Sequence, residues 1–271
     1  MDHKLLRRAL IVAEVVVLIL LTLYLKHLSE MRFERSASIT GVSLLISLLL
    51  LSLYNSRKYL KSPLISNPHV WLALHIAWGY MTLVLFWIHT GTLWPDALYE
   101  RVLCAIFYIT WLSGWTFHTL KKIYHSQMQA KELKSDLPWL TQESIQLKQD
   151  AELLAVRSTE ETHSQVFADY YTQTFWPHFA KLHFRPEHLF FGKQHLLGLR
   201  NTLDNLKHQA SSELTPFIEE LERLIHRKSH LDWAYTCVGT TQALGVTHLP
   251  LTAMLFTWIA WHIGCVLIYA F

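Results

Sequence analysis

Two stretches of this sequence set histidines into otherwise apolar runs: HIAWGYMTLVLFWIHTG, with His75 and His89, and THLPLTAMLFTWIAWHIG, with His248 and His262. In each stretch the two imidazoles stand fourteen residues apart. On a helix that spacing is ~21 Å of rise and ~40° short of four full turns, so both rings leave one face near its two ends. A neutral imidazole in hydrocarbon is costly unless its nitrogens are engaged. Its characteristic chemistry there is metal ligation or proton transfer. The faces between the rings read His75, Gly79, Thr82, Phe86, His89 and His248, Thr252, Leu255, Ile259, His262. Gly79 and Thr82 are small enough to let a flat molecule approach the backbone.

The elements that must hold these rings are membrane helices. Of 271 residues 51% are hydrophobic and eleven are Trp, while the net charge is only +3, which sets nucleic acid aside as a partner. About 20 apolar residues cross a bilayer, and five stretches qualify: roughly 8–26, 38–56, 70–90, 99–120 and 243–270. The fold expected is an all-α polytopic membrane helix bundle with a helical cytoplasmic insert. Residues 1–66 form two N-terminal membrane helices, 67–121 the first half of a histidine-bearing core, 122–240 the soluble insert, and 241–271 the last membrane helix. The second span, ITGVSLLISLLLLSLY, reads as a lipid-facing packing helix. Lys4, Arg7 and Arg8 before the first span, Arg57, Lys58 and Lys61 after the second, and Lys121 and Lys122 after the fourth fall on one side. The positive-inside rule makes that side cytoplasmic. Lys26, Arg32 and Arg35 between the first two spans run against the rule and are only partly offset by Glu30 and Glu34. The first run is expected to be a retained anchor, since no small-residue cleavage pattern follows it.

The insert shows helical periodicity in LTPFIEELERLIHRK and carries no glycine-rich phosphate loop. Its stretch FWPHFAKLHFRPEHLFFGKQH gathers His178, His183, His188 and His195 among aromatics without metal-ligand spacing, so core packing or membrane contact is the expectation. Cys104, Cys237 and Cys265 are isolated and read as small buried apolar residues.

If the third and fifth spans lie side by side, a haem iron can be held at each end by one histidine from each helix. Both spans run outward from the cytoplasm, so His75 pairs with His248 at the inner level and His89 with His262 at the outer. Two non-covalent b haems, each with both axial positions filled by histidine, favour electron transfer over oxygen binding. His118 is read as an interfacial residue or as a contact to the inner haem or a partner. Thr82, Thr90, Thr247 and Thr252 are tuning candidates whose ordinary role is bonding their own helix backbone.

These residues resemble di-haem membrane cytochromes of b type, such as the cytochrome b subunits of quinol-oxidising complexes and ferric-reductase-like membrane domains. The match rests on the two histidine stretches, and WLSG in the fourth span is similar to bacterial members. The resemblance implies that His75, His89, His248 and His262 are axial ligands. It implies a place in the bacterial inner membrane and partners among lipid, iron-sulfur or cytochrome subunits and quinone. The chain departs from the complete reductases in having no flavin or nicotinamide module, and from quinol-oxidising cytochromes in its large insert. An electron-transfer subunit of an oxidoreductase complex, rather than a self-contained enzyme, is therefore expected. Two other readings compete. A histidine-lined proton or ion transporter predicts helices broken in mid-membrane. A scaffold subunit predicts purely structural histidines and an insert that recruits a partner.

Overall fold

The computed structural model describes residues 3–31, 36–56, 68–187 and 197–269. The side chains of Lys4, Arg7, Arg8, Arg32, Arg35, Arg57, Lys58, Lys61, His69, His188 and His195, several of which entered the orientation argument, lie outside the described ones.

The described residues form helices and no strand. In chain order they are α1 His3–Met31, α2 Ser36–Ser56, α3 Pro68–Thr90, α4 Leu98–Ala130, α5 Leu137–Thr162, α6 Val166–Tyr170, α7 Trp176–Phe179, α8 Leu197–Gln209 and α9 Thr215–Tyr269. A π-helical turn, Tyr171–Phe175, joins α6 to α7. Four described stretches are long and apolar enough to cross a membrane: Ile11–Met31, Ala37–Tyr54, Val70–Thr90 and one within Ser212–Tyr269. The fold class is therefore an all-α bundle with membrane-type helices.

The fifth expected span, 99–120, is helical as part of α4 but is not among the four. Its composition explains why. Tyr108, Thr110, Trp111 and Ser113 bring polar atoms into the run, and they are used internally. Tyr108 donates to the Leu93 carbonyl at 3.0 Å, Thr110 to Ile106 at 2.8 Å, and Trp111 Nε1 to the Gly79 carbonyl at 2.9 Å. Such side chains suit a helix lined by protein rather than by lipid.

Two compact units divide the chain, residues 1–111 with 254–271 and residues 112–253. Both divisions fall inside continuous helices, α4 and α9. α9 runs 55 residues with Pro250 inside it. At ~82 Å of rise α9 is far longer than a bilayer core. It has no Asp, Glu, Lys or Arg after Asp232.

In the first unit α1, α2 and α3 pack on one another. Leu44, Leu48, Met81, Leu85, Phe86, Cys104, Ile106, Phe107 and Leu255 form the buried core, with Phe86 stacked on Phe107 at 4.0 Å. α3 stops at Gly91, whose φ of +67° is the left-handed cap conformation that glycine adopts at little steric cost.

The second unit has its own core around Leu140, Phe167, Phe175, Phe179, Leu206, Ile218, Leu221 and Leu231. α5 contributes Leu140, Leu147, Ala151, Leu154 and Ala155 at helical spacing. Of the insert histidines, His178 is buried in this packing, matching the core-packing expectation. After α7 an extended strap carries His183 to Arg185 along α9. His183 N donates to Asp232 Oδ1 at 2.9 Å and Arg185 N to Thr236 Oγ1 at 3.0 Å. Asp232 also accepts from Lys228 Nζ at 2.5 Å, and both side chains are fully buried.

Candidate functional site

His89 lies in the last turn of α3, and helix α9 brings His262 to it within the first unit. The ring centres are 6.5 Å apart with planes at 87°. Two imidazoles bound through nitrogen to opposite sides of one metal, at ~2 Å each, have centres about 6 Å apart. The observed separation is close to that value.

What orients His89 is α2. Thr40, 1% exposed, places Oγ1 3.1 Å from His89 Nδ1. The Thr40 hydroxyl hydrogen goes to the Ala37 carbonyl at 3.1 Å. Its oxygen is then the acceptor for an Nδ1–H, which leaves the lone pair on Nε2. The next residue, Gly41, lets the ring lie against the helix: a Cβ there would stand 3.0 Å from His89 Cε1. The second span is thus no lipid-facing filler. It buries Thr40, Leu44, Ser47 and Leu48 at helical spacing and contacts both histidines of α3.

The other histidine of that helix, His75, places Nδ1 3.2 Å from the Leu51 carbonyl, again on α2. A carbonyl only accepts, so Nδ1 carries the proton and Nε2 the lone pair. The ring sits 4.8 Å from that of Tyr54. It lines an apolar cleft of about 220 Å³ with Leu50, Leu51, Tyr54, Trp71 and Trp78. The cleft is smaller than the ~300 Å³ at which small-molecule sites usually begin, so it would hold only part of a macrocycle.

His248 belongs to the second unit, and α4 treats it as α2 treats His89. Ser113 Oγ lies 2.8 Å from His248 Nδ1, and a Cβ on Gly114 would stand 3.0 Å from His248 Cε1. A hydroxyl residue followed by glycine, Thr40–Gly41 and Ser113–Gly114, thus cradles one histidine of each expected pair. Thr40–Gly41 drew no notice in the sequence, and Ser113–Gly114 lies in the WLSG stretch noted only for its resemblance. The available signal was a small polar dipeptide inside an apolar helix, which by itself is common.

His262 is held differently. Its ring lies near-parallel to that of Tyr99, 6.1 Å away at 14°, and no hydrogen bond to it forms among the described residues. Tyr99 in turn lies 5.7 Å from Trp258.

The structure places the remaining expected residues as follows. A Cβ on Gly79 would meet nothing within 4 Å, so space does lie against the backbone there. Thr82 is 1% exposed and bonds the Gly79 carbonyl at 2.9 Å, so it is packed inside rather than lining an open face. Thr90, Thr247 and Thr252 likewise bond carbonyls of their own helices, Phe86, Leu244 and His248. His118 is half-buried on α4, one turn before Lys121 and Lys122.

His75 and His248 fall in different units, and each is described with its own neighbours. Among the described residues no group of three or more His, Cys, Asp or Glu side chains is placed to hold a metal ion. No protein-family model, curated protein or solved structure matches the sequence.

Proposed function

We propose that this protein is a membrane electron-transfer subunit of b-cytochrome type, with His89 and His262 as the axial ligands of one haem. The observation that carries the reading is the 6.5 Å separation of those two rings. Two histidines, with no third candidate ligand beside them among the described residues, would suit a metal that brings ligands of its own, as a haem iron does. A bound haem would supply a one-electron ferric/ferrous couple. The chain's own part is to fix the ligands. Thr40 sets the His89 tautomer by accepting from Nδ1, Gly41 admits the ring, and the core of Leu85, Phe86 and Leu255 keeps the surroundings apolar.

The second pair, His75 with His248, enters this reading from its matching spacing. The Leu51 carbonyl suits His75 to ligation through Nε2, and Ser113 Oγ holds the His248 ring through its Nδ1. Two b haems would then carry electrons across a bacterial inner membrane, with the N-terminus and the insert cytoplasmic. The exchange would run between a quinone pool or soluble carrier and partner iron-sulfur or cytochrome subunits. The proton-relay alternative predicts a span interrupted in mid-membrane, whereas α9 is continuous through Pro250.

The test is a dithionite-reduced minus oxidised visible spectrum of the purified protein with pyridine haemochrome quantitation. Two non-covalent haems per chain, low-spin, with one lost in His262→Ala, is the expected result. Well-folded protein without haem overturns the reading.

A further inference from the structure

We propose that Tyr99 is a binding residue of the His89/His262 site, donating its hydroxyl hydrogen to a carboxylate on the edge of the molecule held there. The proposal rests on the haem reading and deepens it, because it assigns the chain's contact to the acidic edge of a tetrapyrrole.

Tyr99 occupies the first turn of α4, immediately after the 91–97 turn that leaves α3. Its ring lies against one face of α9, 6.1 Å from His262 and 5.7 Å from Trp258. Those two α9 residues are one turn apart. The Tyr99 hydroxyl is buried and has no hydrogen-bond partner among the described residues. A buried phenol normally finds a partner, because leaving one unmade forfeits the full desolvation of the group.

Its neighbour on the same helix shows the ordinary arrangement. Tyr108 donates to the Leu93 carbonyl at 3.0 Å and accepts from Trp87 Nε1 at 2.9 Å. Tyr99 differs in having an aromatic wall and a histidine beside it instead of a carbonyl. An acceptor must therefore come from something bound at that histidine. The acceptor with most to gain is an anion, since a donor to a carboxylate is about twice as strong as one between neutral groups. The position fits as well. The start of α4 is an end of an apolar helix, where the acidic edge of an otherwise apolar ring can meet water.

The experiment compares the full-length protein with Tyr99→Phe, which removes one oxygen and keeps the ring against His262. Expected is an unchanged haem count and low-spin spectrum, a lower reduction potential for one haem, and several-fold faster haem loss to excess apomyoglobin. The potential falls because a carboxylate without its donor exerts more negative charge on the metal. Unchanged potential and unchanged loss rate, with haem present, overturn the Tyr99 proposal and leave the haem reading standing. Protein without haem overturns both.

Should Tyr99→Phe fail to fold, a reduced-minus-oxidised infrared difference spectrum of the unaltered protein decides. With ring-labelled tyrosine, a shifting tyrosine band coupled to a carboxylate band is expected, and a spectrum without one overturns the proposal.

Discussion

The two compact units bury polar groups of different kinds. In residues 1–111 with 254–271 the buried polar side chains are hydroxyls: Thr22, Ser29, Thr40, Ser47, Thr82 and Thr110. In residues 112–253 the buried set includes a full ion pair, Lys228 with Asp232, alongside His178 and Thr236. Hydroxyls can bond back to their own helix, as Thr22, Ser47 and Thr110 do, and so cost little in an apolar setting. An ion pair demands mutual neutralisation and further donors, and Asp232 obtains one from the strap through His183 N. The first unit thus keeps its buried polarity small, mostly bonded to its own helices with Thr40 turned to His89, whereas the second also uses charge to fasten a loop.

The sharpest way to break that contrast is to remove one half of the ion pair. Asp232→Ala leaves the Lys228 ammonium with no counter-ion at a fully buried position, a loss of about 3–5 kcal/mol by the usual cost of orphaning a buried charge. Denaturant unfolding and protease sensitivity of the full-length protein read the effect. Replacing both, Lys228→Met with Asp232→Leu, should recover most of that stability. It should not recover protection of the 181–187 strap, which also loses the His183 N bond. Equal instability of the single and double variants would show that the pair is not the source.

A smaller effect is expected from the cradles. Thr40→Val keeps the shape but withdraws the Nδ1 acceptor, and loss of such an outer contact typically weakens metal-site affinity by ~10–100-fold. Ser113→Ala should act on His248 in the same way. Gly41→Ala adds a Cβ 3.0 Å from His89 Cε1 and should turn the ring, broadening the low-spin spectrum more than Thr40→Val does. Haem titration of the three variants checks this. Normal affinity in Thr40→Val would remove α2 from the site.

How far these features were legible in the sequence follows from where their partners sit. The fourteen-residue spacing of the histidines is a local periodic signal, and it identified the helices that carry them. The cradles were not legible, because Thr40 meets His89 across 49 residues and Ser113 meets His248 across 135. Nothing in a single helix reveals such a pairing. The second span, ITGVSLLISLLLLSLY, looked featureless because its useful groups are one hydroxyl, one absent Cβ and one backbone carbonyl. Thr82 was selected for its smallness on the histidine face, yet its hydroxyl simply bonds the Gly79 carbonyl. Pro250 lies inside α9, and the helix continues on both sides of it despite the loss of one N–H.

The comparison also predicts a pH dependence for the strap of the second unit. Burial holds the His183 imidazole below its ordinary value. Asp232 opposes the shift, and Lys228, Arg185 and Lys181 reinforce it. Because the docked strap binds a proton less readily than the released one, its stability is fully present above the ordinary histidine value of ~6.5. It is lost progressively as pH falls below that. Proteolysis within 181–187 should therefore quicken between pH 7.5 and 5.5, and His183→Gln should flatten the dependence. Cleavage that instead slows on acidification would reverse the sign argued for His183.

The smallest effect belongs to the hydroxyls that bond their own helices. Thr247 donates to Leu244 at 3.1 Å and Thr252 to His248 at 2.8 Å, each closing a loop of three or four residues that the backbone already closes. Valine at either position removes that redundant bond while keeping the branched shape, so stability should change by no more than about 0.5 kcal/mol. The haem potentials should not move. Thr252 is the more demanding case, because its acceptor is the carbonyl of a ligand residue. A potential shift in Thr252→Val comparable to that of Ser113→Ala would mean that the His248 backbone, and not only its Nδ1 partner, tunes the ring. The division between hydroxyls that hold histidines and hydroxyls that merely close a turn would then fail at that position.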